Sequence, residues 1–216
     1  MTKTAQAIKR YWNQQAKLLG SDPRATTNDY WLREIEIKKI SEVLRSIKNK
    51  NEILDIGCGN GFSTIRLAKA FPQPRFLGGD CAENMIKQAR LALRKSNMSR
   101  RNLRFRIMDV TKLSKFGQKF DVIISDRCLI NLLILSSQRS AVQEIHAALR
   151  KGGHYIMVEN FIEGHRGMNQ ARRGIALPEI PVRWHNTFFN ENFVGYLNNF
   201  FTIKHRENIS SLYYLL

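Results

Sequence analysis

The chain has 216 residues, of which 43% are hydrophobic and 25% are charged. This length and composition are typical of one globular domain with a buried core, and they exclude a disordered chain, a collagen-like repeat and a fibrous coil. The 35 lysines and arginines against 18 aspartates and glutamates give a formal net charge of +17, which favours anionic partners but says nothing about the fold.

Two helices are predicted to open the chain, as an N-terminal helical cap over residues 1–50. Apolar residues recur at the spacing of one helix face over 8–19, directly before Gly20, a residue type that suits a helix end. The same spacing over 37–47 predicts a second helix that starts near Thr27 and ends at Lys48. The basic stretch 1–21 lacks the apolar centre of a secretory signal, so we do not expect it to be one.

From Glu52 onward, short apolar runs alternate with amphipathic stretches, a pattern typical of a sheet covered by helices. Strands are predicted near 52–56, 75–80, 102–108, 120–125 and 154–159, and helices near 61–71, 82–95 and 137–150. The expected fold class is therefore α/β, with a doubly wound, mostly parallel sheet.

The end of the chain has a different pattern. Residues 160–199 are predicted to form one long connection with prolines and many aromatic residues, and connections of that length are usually functional. Residues 200–205 and 211–216 then resemble two strands around a short turn, which predicts an antiparallel hairpin. The sequence ends inside the second of these strands, which leaves open whether the natural chain extends past Leu216.

Three glycines follow the first predicted strand at alternate positions, in the segment Asp55-Ile56-Gly57-Cys58-Gly59-Asn60-Gly61. Glycines at such a turn let the backbone approach a ligand closely, and in open parallel sheets ligands bind at the carboxyl ends of the strands. Phe62 stands where a dinucleotide-binding motif has its third glycine, and the lysine of a phosphate-binding Walker loop is absent. Both of those nucleotide-binding classes are therefore disfavoured.

The segment resembles the first motif of the class I S-adenosylmethionine-dependent methyltransferases, an acidic residue followed by G-x-G-x-G. The resemblance covers residues 51–159 and implies S-adenosylmethionine as the cofactor, S-adenosylhomocysteine as the product and an antiparallel last strand. It also implies a catalytic domain over 51–216 that binds the cofactor and carries a substrate-side insertion at 160–199.

The resemblance further implies roles for individual residues. Asp80 closes the second strand, where the family binds the ribose hydroxyls through charge-assisted hydrogen bonds. Cys81 and Met85 are expected against the adenine, and Asp109 near its amino group. The expected cofactor-binding residues are Asp55, Gly57, Cys58, Gly59, Asn60, Gly61, Asp80, Cys81, Met85, Asp109, Val110 and Ser125.

The residues that face the methyl acceptor are predicted from their position beside the cofactor motifs. A hydroxyl acceptor benefits from a general base, for which His185, Glu159 and Asp126 are the candidates, whereas an amine needs only to arrive neutral. The alternative for His185 is a purely structural histidine. The alternative for Tyr11 and Trp12 is that they only pack the N-terminal helical cap. The expected substrate-binding residues are Tyr11, Trp12, Arg127, Arg172, Arg183, Trp184 and Asn186.

The favoured function is methyl transfer to an oxygen or nitrogen atom of a small polar metabolite, sugar-like or anionic. The alternative is an RNA methyltransferase, supported by the charge and by a basic cluster within 87–106 that includes Lys87, Arg90 and Arg94. This cluster also fits a solvated helix face, since no aromatic residues interleave to stack bases. A cofactor-binding protein without catalysis is a third possibility.

Compartment, metal content and membrane association follow from simpler signals. The three cysteines, Cys58, Cys81 and Cys128, lack metal-ligand spacing, so we expect reduced thiols, no metal site and a cytoplasmic location. The most apolar stretch, 129–135, is far shorter than the roughly 20 residues that cross a bilayer, so no membrane partner is expected. The oligomeric state is left open.

Overall fold

The computed structural model describes residues 3–98, 101–209 and 213. Helices α1 (Lys3–Leu19) and α2 (Tyr30–Ser46) precede strand β1 (Glu52–Ile56). The remaining elements are α3 (Phe62–Ala70), β2 (Arg75–Asp80), α4 (Glu83–Lys95), β3 (Leu103–Ile107), β4 (Phe120–Asp126), α5 (Leu135–Ala148), β5 (Leu149–Val158), α6 (Ile162–Gly174) and α7 (Glu191–Leu197). Short 3-10 helices lie at Pro23–Ala25, Val110–Phe116 and Leu129–Asn131.

The five strands form one sheet in the order β3-β2-β1-β4-β5, and each neighbouring pair is parallel. Ile56, the last residue of β1, pairs with Gly79 on one side and with Ser125 on the other. The strand order reverses between β1 and β4, which is where ligands bind in doubly wound sheets. The predicted fold class and its five parallel strands are confirmed.

Helices cover both faces of the sheet, and because side chains alternate along each strand, strands β1, β2, β4 and β5 contribute to a core on either side. Ile53 faces a core built with Ile40 and Leu44 of α2 and with residues of α3 and α4. Leu54 faces the opposite core, built with residues of α5 and α7. Helix α2 therefore belongs to the packing of the sheet, and α1 packs mainly on α4.

The prediction of one long connection over 160–199 is wrong, because that segment contains α6 and α7. Helix α6 buries only Asn169 along its length, so its sequence has no apolar period from which a helix could be predicted. Helix α7 is short, is capped by Asn190 through a 3.2 Å bond from the Phe193 N–H, and buries Phe193 and Leu197.

The predicted antiparallel strand at 200–205 is also wrong, because residues 201–209 contain no strand. Phe200 and Phe201 both turn toward His146, with ring centroids 5.6 and 5.5 Å away, and Phe201 also contacts Tyr155. Two consecutive aromatic residues on the same side are incompatible with strand alternation. The second predicted strand, 211–216, lies outside the described residues except for Tyr213. In the parts of the chain that the structure describes, no helix is long and apolar enough to cross a bilayer.

Candidate active site

A cavity of about 990 Å³ lies at the carboxyl ends of β1, β2 and β4. Its walls come from the glycine-rich loop, from the segments that follow β2, β3 and β4, from α1, and from residues around His185. Small-molecule sites range from about 300 to 1,000 Å³, so this cavity is large enough for a cofactor and an acceptor together.

The glycine-rich loop exposes backbone to the cavity. Gly57 and Gly59 have φ angles of +80° and +54°, in the left-handed region that favours glycine. A Cβ atom on Gly57 would lie 2.5 Å from Cβ of Cys128, and one on Gly59 would lie 2.5 Å from Cγ2 of Thr26. Both positions therefore require glycine for space as well as for conformation.

Three other residues of the motif support this loop from behind and do not line the cavity. The Asn60 side chain donates to the carbonyls of Gly20, at 3.1 Å, and Asp22, at 2.8 Å, and so ties the loop to the segment between α1 and α2. Asp55 accepts a 2.5 Å hydrogen bond from Thr64 Oγ1, and burial raises its pKa to about 7. Gly61 packs against Phe105 at the start of α3. Their predicted cofactor contacts stay predictions.

Asp80, Cys81, Met85, Asp109 and Val110 do line the cavity, and their cofactor contacts stay predictions. The Asp80 carboxylate accepts from the Gly59 N–H at 3.0 Å and from the Ala82 N–H at 2.8 Å. Each oxygen accepts one of these bonds and keeps capacity for a second, as a pair of vicinal hydroxyls would need. The Asp109 carboxylate accepts from the backbone N–H and hydroxyl of Thr111, at 2.9 and 2.7 Å.

Asp126 ends β4 at the cavity wall. Its side chain is only 9% exposed, and among the described residues neither carboxylate oxygen accepts a hydrogen bond. The adjacent Arg127 guanidinium is directed to Glu36 of α2, with Nε 3.0 Å from Oε1, and lies 3.6 Å from Asp126 Oδ1. Asp126 is thus a buried carboxylate with capacity to accept hydrogen bonds from a ligand.

Glu159 and Ser125 do not line the cavity. The Glu159 carboxylate accepts from the backbone N–H groups of Cys128, Leu129 and Ile130 and from the Ser125 hydroxyl, at 2.8–3.3 Å. Burial raises the pKa of Glu159 to about 7, against the opposing effect of these donors. Glu159 therefore fixes the 3-10 helix after β4, and the structure does not bring this predicted base to the wall.

His185 lines the cavity within an aromatic cluster. Its ring stacks on Tyr11, with centroids 4.7 Å apart, and meets the edge of Trp12 at 5.2 Å. Nδ1 is buried and has no hydrogen-bond partner among the described residues. Burial and the Arg183 charge lower the pKa of His185, which favours the neutral form of the ring.

The remaining predicted acceptor residues divide into two groups. Arg183 and Asn186 line the cavity beside His185. Trp184 is 60% exposed and touches Tyr11 and His185 from outside, and Arg172 Nε donates to the Pro178 carbonyl at 2.7 Å, away from the wall. The structure therefore does not bring Trp184 and Arg172 to the cavity.

Sequence reasoning missed four residues at or behind this wall, namely Asp29, Arg33, Glu36 and Tyr213. Tyr213 lines the cavity and donates to Asp29 at 2.7 Å, which raises the pKa of the tyrosine to about 12. Arg33 and Glu36 are buried on α2. Glu36 lies four residues before Ile40 and eight before Leu44, so its place on the apolar face was a readable signal.

Comparisons with known proteins agree with this geometry. A family model described as methyltransferase domain matches residues 47–180. An uncharacterized methyltransferase of Schizosaccharomyces pombe is 27% identical over 121 residues, which are 54% of this chain and 42% of the relative. A malonyl-[acyl-carrier protein] O-methyltransferase of Paenibacillus is 28% identical over 193 residues, which are 82% of this chain and 67% of that protein.

A solved structure shares the fold at lower identity. Magnesium protoporphyrin IX methyltransferase from Synechocystis, with S-adenosylhomocysteine bound, has a TM-score of 0.64 and is 14% identical. The similarity covers 90% of this chain and 87% of that one. Several curated relatives are longer, and the chain spans less than half of their length.

Proposed function

This chain belongs to the family of class I S-adenosylmethionine-dependent methyltransferases, and we propose that it transfers a methyl group to an oxygen or nitrogen atom of a small polar molecule. The single observation that carries the proposal is the pair of buried polar groups on the acceptor side of the cavity. The Asp126 carboxylate and His185 Nδ1 both lack hydrogen-bond partners within residues 3–98, 101–209 and 213. Buried groups of this kind are costly unless a ligand satisfies them.

The cofactor is S-adenosylmethionine, and the wall around Asp80 fits it. Gly57 and Gly59 offer backbone without side chains, Asp80 retains acceptor capacity for two hydroxyls, and Met85 and Met108 form an apolar wall beside Asp109. When bound, the cofactor supplies an electrophilic methyl group on a sulfonium, and S-adenosylhomocysteine is the product. The protein then needs chiefly to hold the acceptor in line and to exclude water.

The residues of this chain supply that positioning. Asp126 accepts a hydrogen bond from the hydroxyl or amine of the acceptor and, for a hydroxyl, takes its proton as the nucleophile attacks. The neutral His185 ring, held by Tyr11, hydrogen-bonds a second polar group of the acceptor through Nδ1. Helix α1 covers the cavity through the Trp12 indole, whose N–H donates to Asn131 Oδ1 at 3.1 Å.

The curated relatives support methyl transfer to small groups without fixing the acceptor. Their names include malonyl-[acyl-carrier protein] O-methyltransferase and demethylmenaquinone methyltransferase, which are chemically unlike one another. An RNA acceptor is the second candidate, favoured by the exposed basic residues Lys87, Arg94 and Arg106. The aromatic wall around His185 at the cavity favours the small molecule.

The test is a transfer assay with S-adenosylmethionine labelled on its methyl group, against fractionated metabolites and total RNA in parallel. We expect label in a metabolite fraction, and we expect Asp126→Asn to lower transfer by about 100- to 10,000-fold while cofactor affinity changes little. Asp121→Asn, on the same strand but at its opposite end, serves as the matched control. Label in RNA alone, or full activity of Asp126→Asn, would contradict the proposal.

A further inference from the structure

Helix α2 carries a buried acid whose partner is a residue of the active-site wall. Glu36 is 2% exposed, and its two carboxylate oxygens lie 3.0 Å from Nε and 3.1 Å from Nη2 of Arg127. The Nη2 contact is a hydrogen bond and the Nε contact is an ion pair, so one directed bond and the charge both draw the guanidinium toward Glu36. Glu36 therefore determines where the Arg127 side chain points.

Arg33 joins the same cluster one turn earlier on α2. Its guanidinium donates to Ser63 Oγ at 3.0 Å and to Thr26 Oγ1 at 2.9 Å, and Nε lies 3.6 Å from Glu36. Arg33 and Asp126 also line one small cavity of about 10 Å³ behind the glycine-rich loop. Arg33 thus anchors α2 to the start of α3 and places a positive charge beside Asp126.

The Arg127 backbone needs such support. Its φ angle is +49°, a strained conformation that non-glycine residues rarely adopt. The Arg127 N–H donates to the Val158 carbonyl at 2.8 Å, and Nη1 donates to Thr27 Oγ1 at 3.3 Å. Contacts from β5, from α2 and from the residues before α2 therefore hold this turn together.

We propose that Glu36 and Arg33 are positioning residues of the active site, which keep Arg127 directed toward α2 so that the Asp126 carboxylate retains its hydrogen-bonding capacity for the methyl acceptor. Arg127 Nε is 3.6 Å from Asp126 Oδ1, so a small rotation would form a direct hydrogen bond. The Glu36 carboxylate prevents that rotation by competing for the same guanidinium. This inference rests on the proposed function, because it assigns the freed carboxylate to the acceptor.

The decisive variant is Glu36→Gln, which keeps the shape of the side chain and removes its carboxylate. Because burial raises the pKa of Glu36 to about 8, the variant is compared with the unmodified chain above that pH, where the carboxylate is charged. We expect Arg127 to turn onto Asp126, so that a crystal structure of the variant has a guanidinium nitrogen within about 3 Å of the carboxylate. We expect methyl transfer to fall about 10- to 100-fold, while the affinity for S-adenosylhomocysteine changes less than about threefold. Glu42→Gln, on the exposed side of the same helix, is the matched control and should change neither quantity.

A second substitution separates positioning from simple destabilisation. Adding Arg127→Met to Glu36→Gln removes the guanidinium that would occupy Asp126. We therefore expect the double variant to transfer methyl groups at least tenfold faster than Glu36→Gln alone. A purely structural role predicts that the double variant is no better than the single one. If Glu36→Gln does not fold, Glu36→Asp retains the charge at a longer distance and should show a smaller loss with the same recovery.

The outcomes separate this inference from the proposed function. Absence of transfer and of S-adenosylhomocysteine binding in the unmodified protein would refute the proposed function, and the crystal structure of Glu36→Gln would still test the rotation of Arg127. An unmoved Arg127 in that structure, or undiminished transfer, would overturn the positioning role.

Discussion

Asp126 and Glu159 are two acids at the ends of neighbouring parallel strands, and the donors around them give them opposite roles. Four donors surround Glu159, three of them backbone N–H groups of the turn after β4. No described residue donates to Asp126. A carboxylate whose lone pairs are occupied organises the backbone, whereas one with free lone pairs can act on a ligand. We therefore favour Asp126 over Glu159 as the group that contacts the acceptor.

Asp55 predicts a pH dependence of stability. Its pKa is raised by burial from 3.8 to about 7, so the folded chain holds a proton that the unfolded chain has lost. This contribution is fully present below the unfolded pKa and is lost as the pH rises through about 7. We expect Asp55→Asn, which still accepts from Thr64, to make the decrease of unfolding free energy between about pH 5 and 7 shallower, by up to about 1.4 kcal/mol per pH unit.

The measurement for Asp55 is denaturant unfolding at several pH values, with Asp121→Asn as the control. Identical pH slopes for Asp55→Asn and the unmodified chain would show that the folded state does not protonate this carboxyl.

At the scale of single residues, the sequence predicted those positions whose role depends on a local motif. Asp80 and Asp109 follow strands directly, so strand ends sufficed to bring them to one cavity. Glu36 and Arg33 were missed because their partners, Arg127 and Ser63, lie 91 and 30 residues away. No local pattern specifies such contacts. Arg172 is predicted at the acceptor because it lies in the polar segment 160–199, and the fold directs its side chain to the Pro178 carbonyl.

At the scale of elements, helix α1 covers the cavity through a few polar contacts. Lys9 pairs with Glu83 at 2.7 Å, Asn13 accepts from the Asn84 N–H at 2.8 Å, and the Trp12 indole bonds Asn131. Only Ile8 and Ala16 of this helix are buried apolar residues. Elements with few buried apolar contacts open at low free-energy cost, so we infer that α1 opens to admit ligands.

The role of α1 can be tested with Trp12→Phe, which removes the indole N–H and keeps an aromatic ring. Loss of one net hydrogen bond of about 1 kcal/mol should weaken S-adenosylhomocysteine binding roughly fivefold. Calorimetry measures this change, and Leu18→Ala, at an exposed site on the same helix, should leave the affinity unchanged. Equal affinities for Trp12→Phe and the unmodified chain would mean that α1 does not cover the cofactor.

The elements themselves were predictable where an apolar period runs through them. The five strands and helices α3, α4 and α5 lie within about five residues of their predicted positions, because a strand buried on both faces is a short apolar run and a helix packed on a sheet has a 3.6-residue apolar period. Helix α6 lacks that period, and α7 has only seven residues. The predicted strand at 200–205 is wrong because its phenylalanines fill a space between α5, α7 and β5 instead of pairing in the sheet.

At the scale of the whole molecule, the charge of +17 and the cavity point to different acceptors. Lys87 and Arg94 lie exposed on α4, whereas Arg183 lines the cavity. An RNA acceptor requires many cations outside the cavity to neutralise phosphates, and a small acceptor requires only those inside it. The two sets of residues can therefore be changed separately.

We expect Lys87→Glu with Arg94→Glu to leave transfer nearly intact and Arg183→Ala to lower it, because a small acceptor touches only the cavity wall. Salt gives an independent measurement: transfer should change only a few-fold between about 50 and 200 mM, whereas an RNA complex loses orders of magnitude in affinity over that range through counterion release. Circular dichroism of each variant checks that reversing charges on α4 has not unfolded it. A loss of transfer in the α4 variant, together with a steep salt dependence and an active Arg183→Ala, would instead assign the acceptor to nucleic acid.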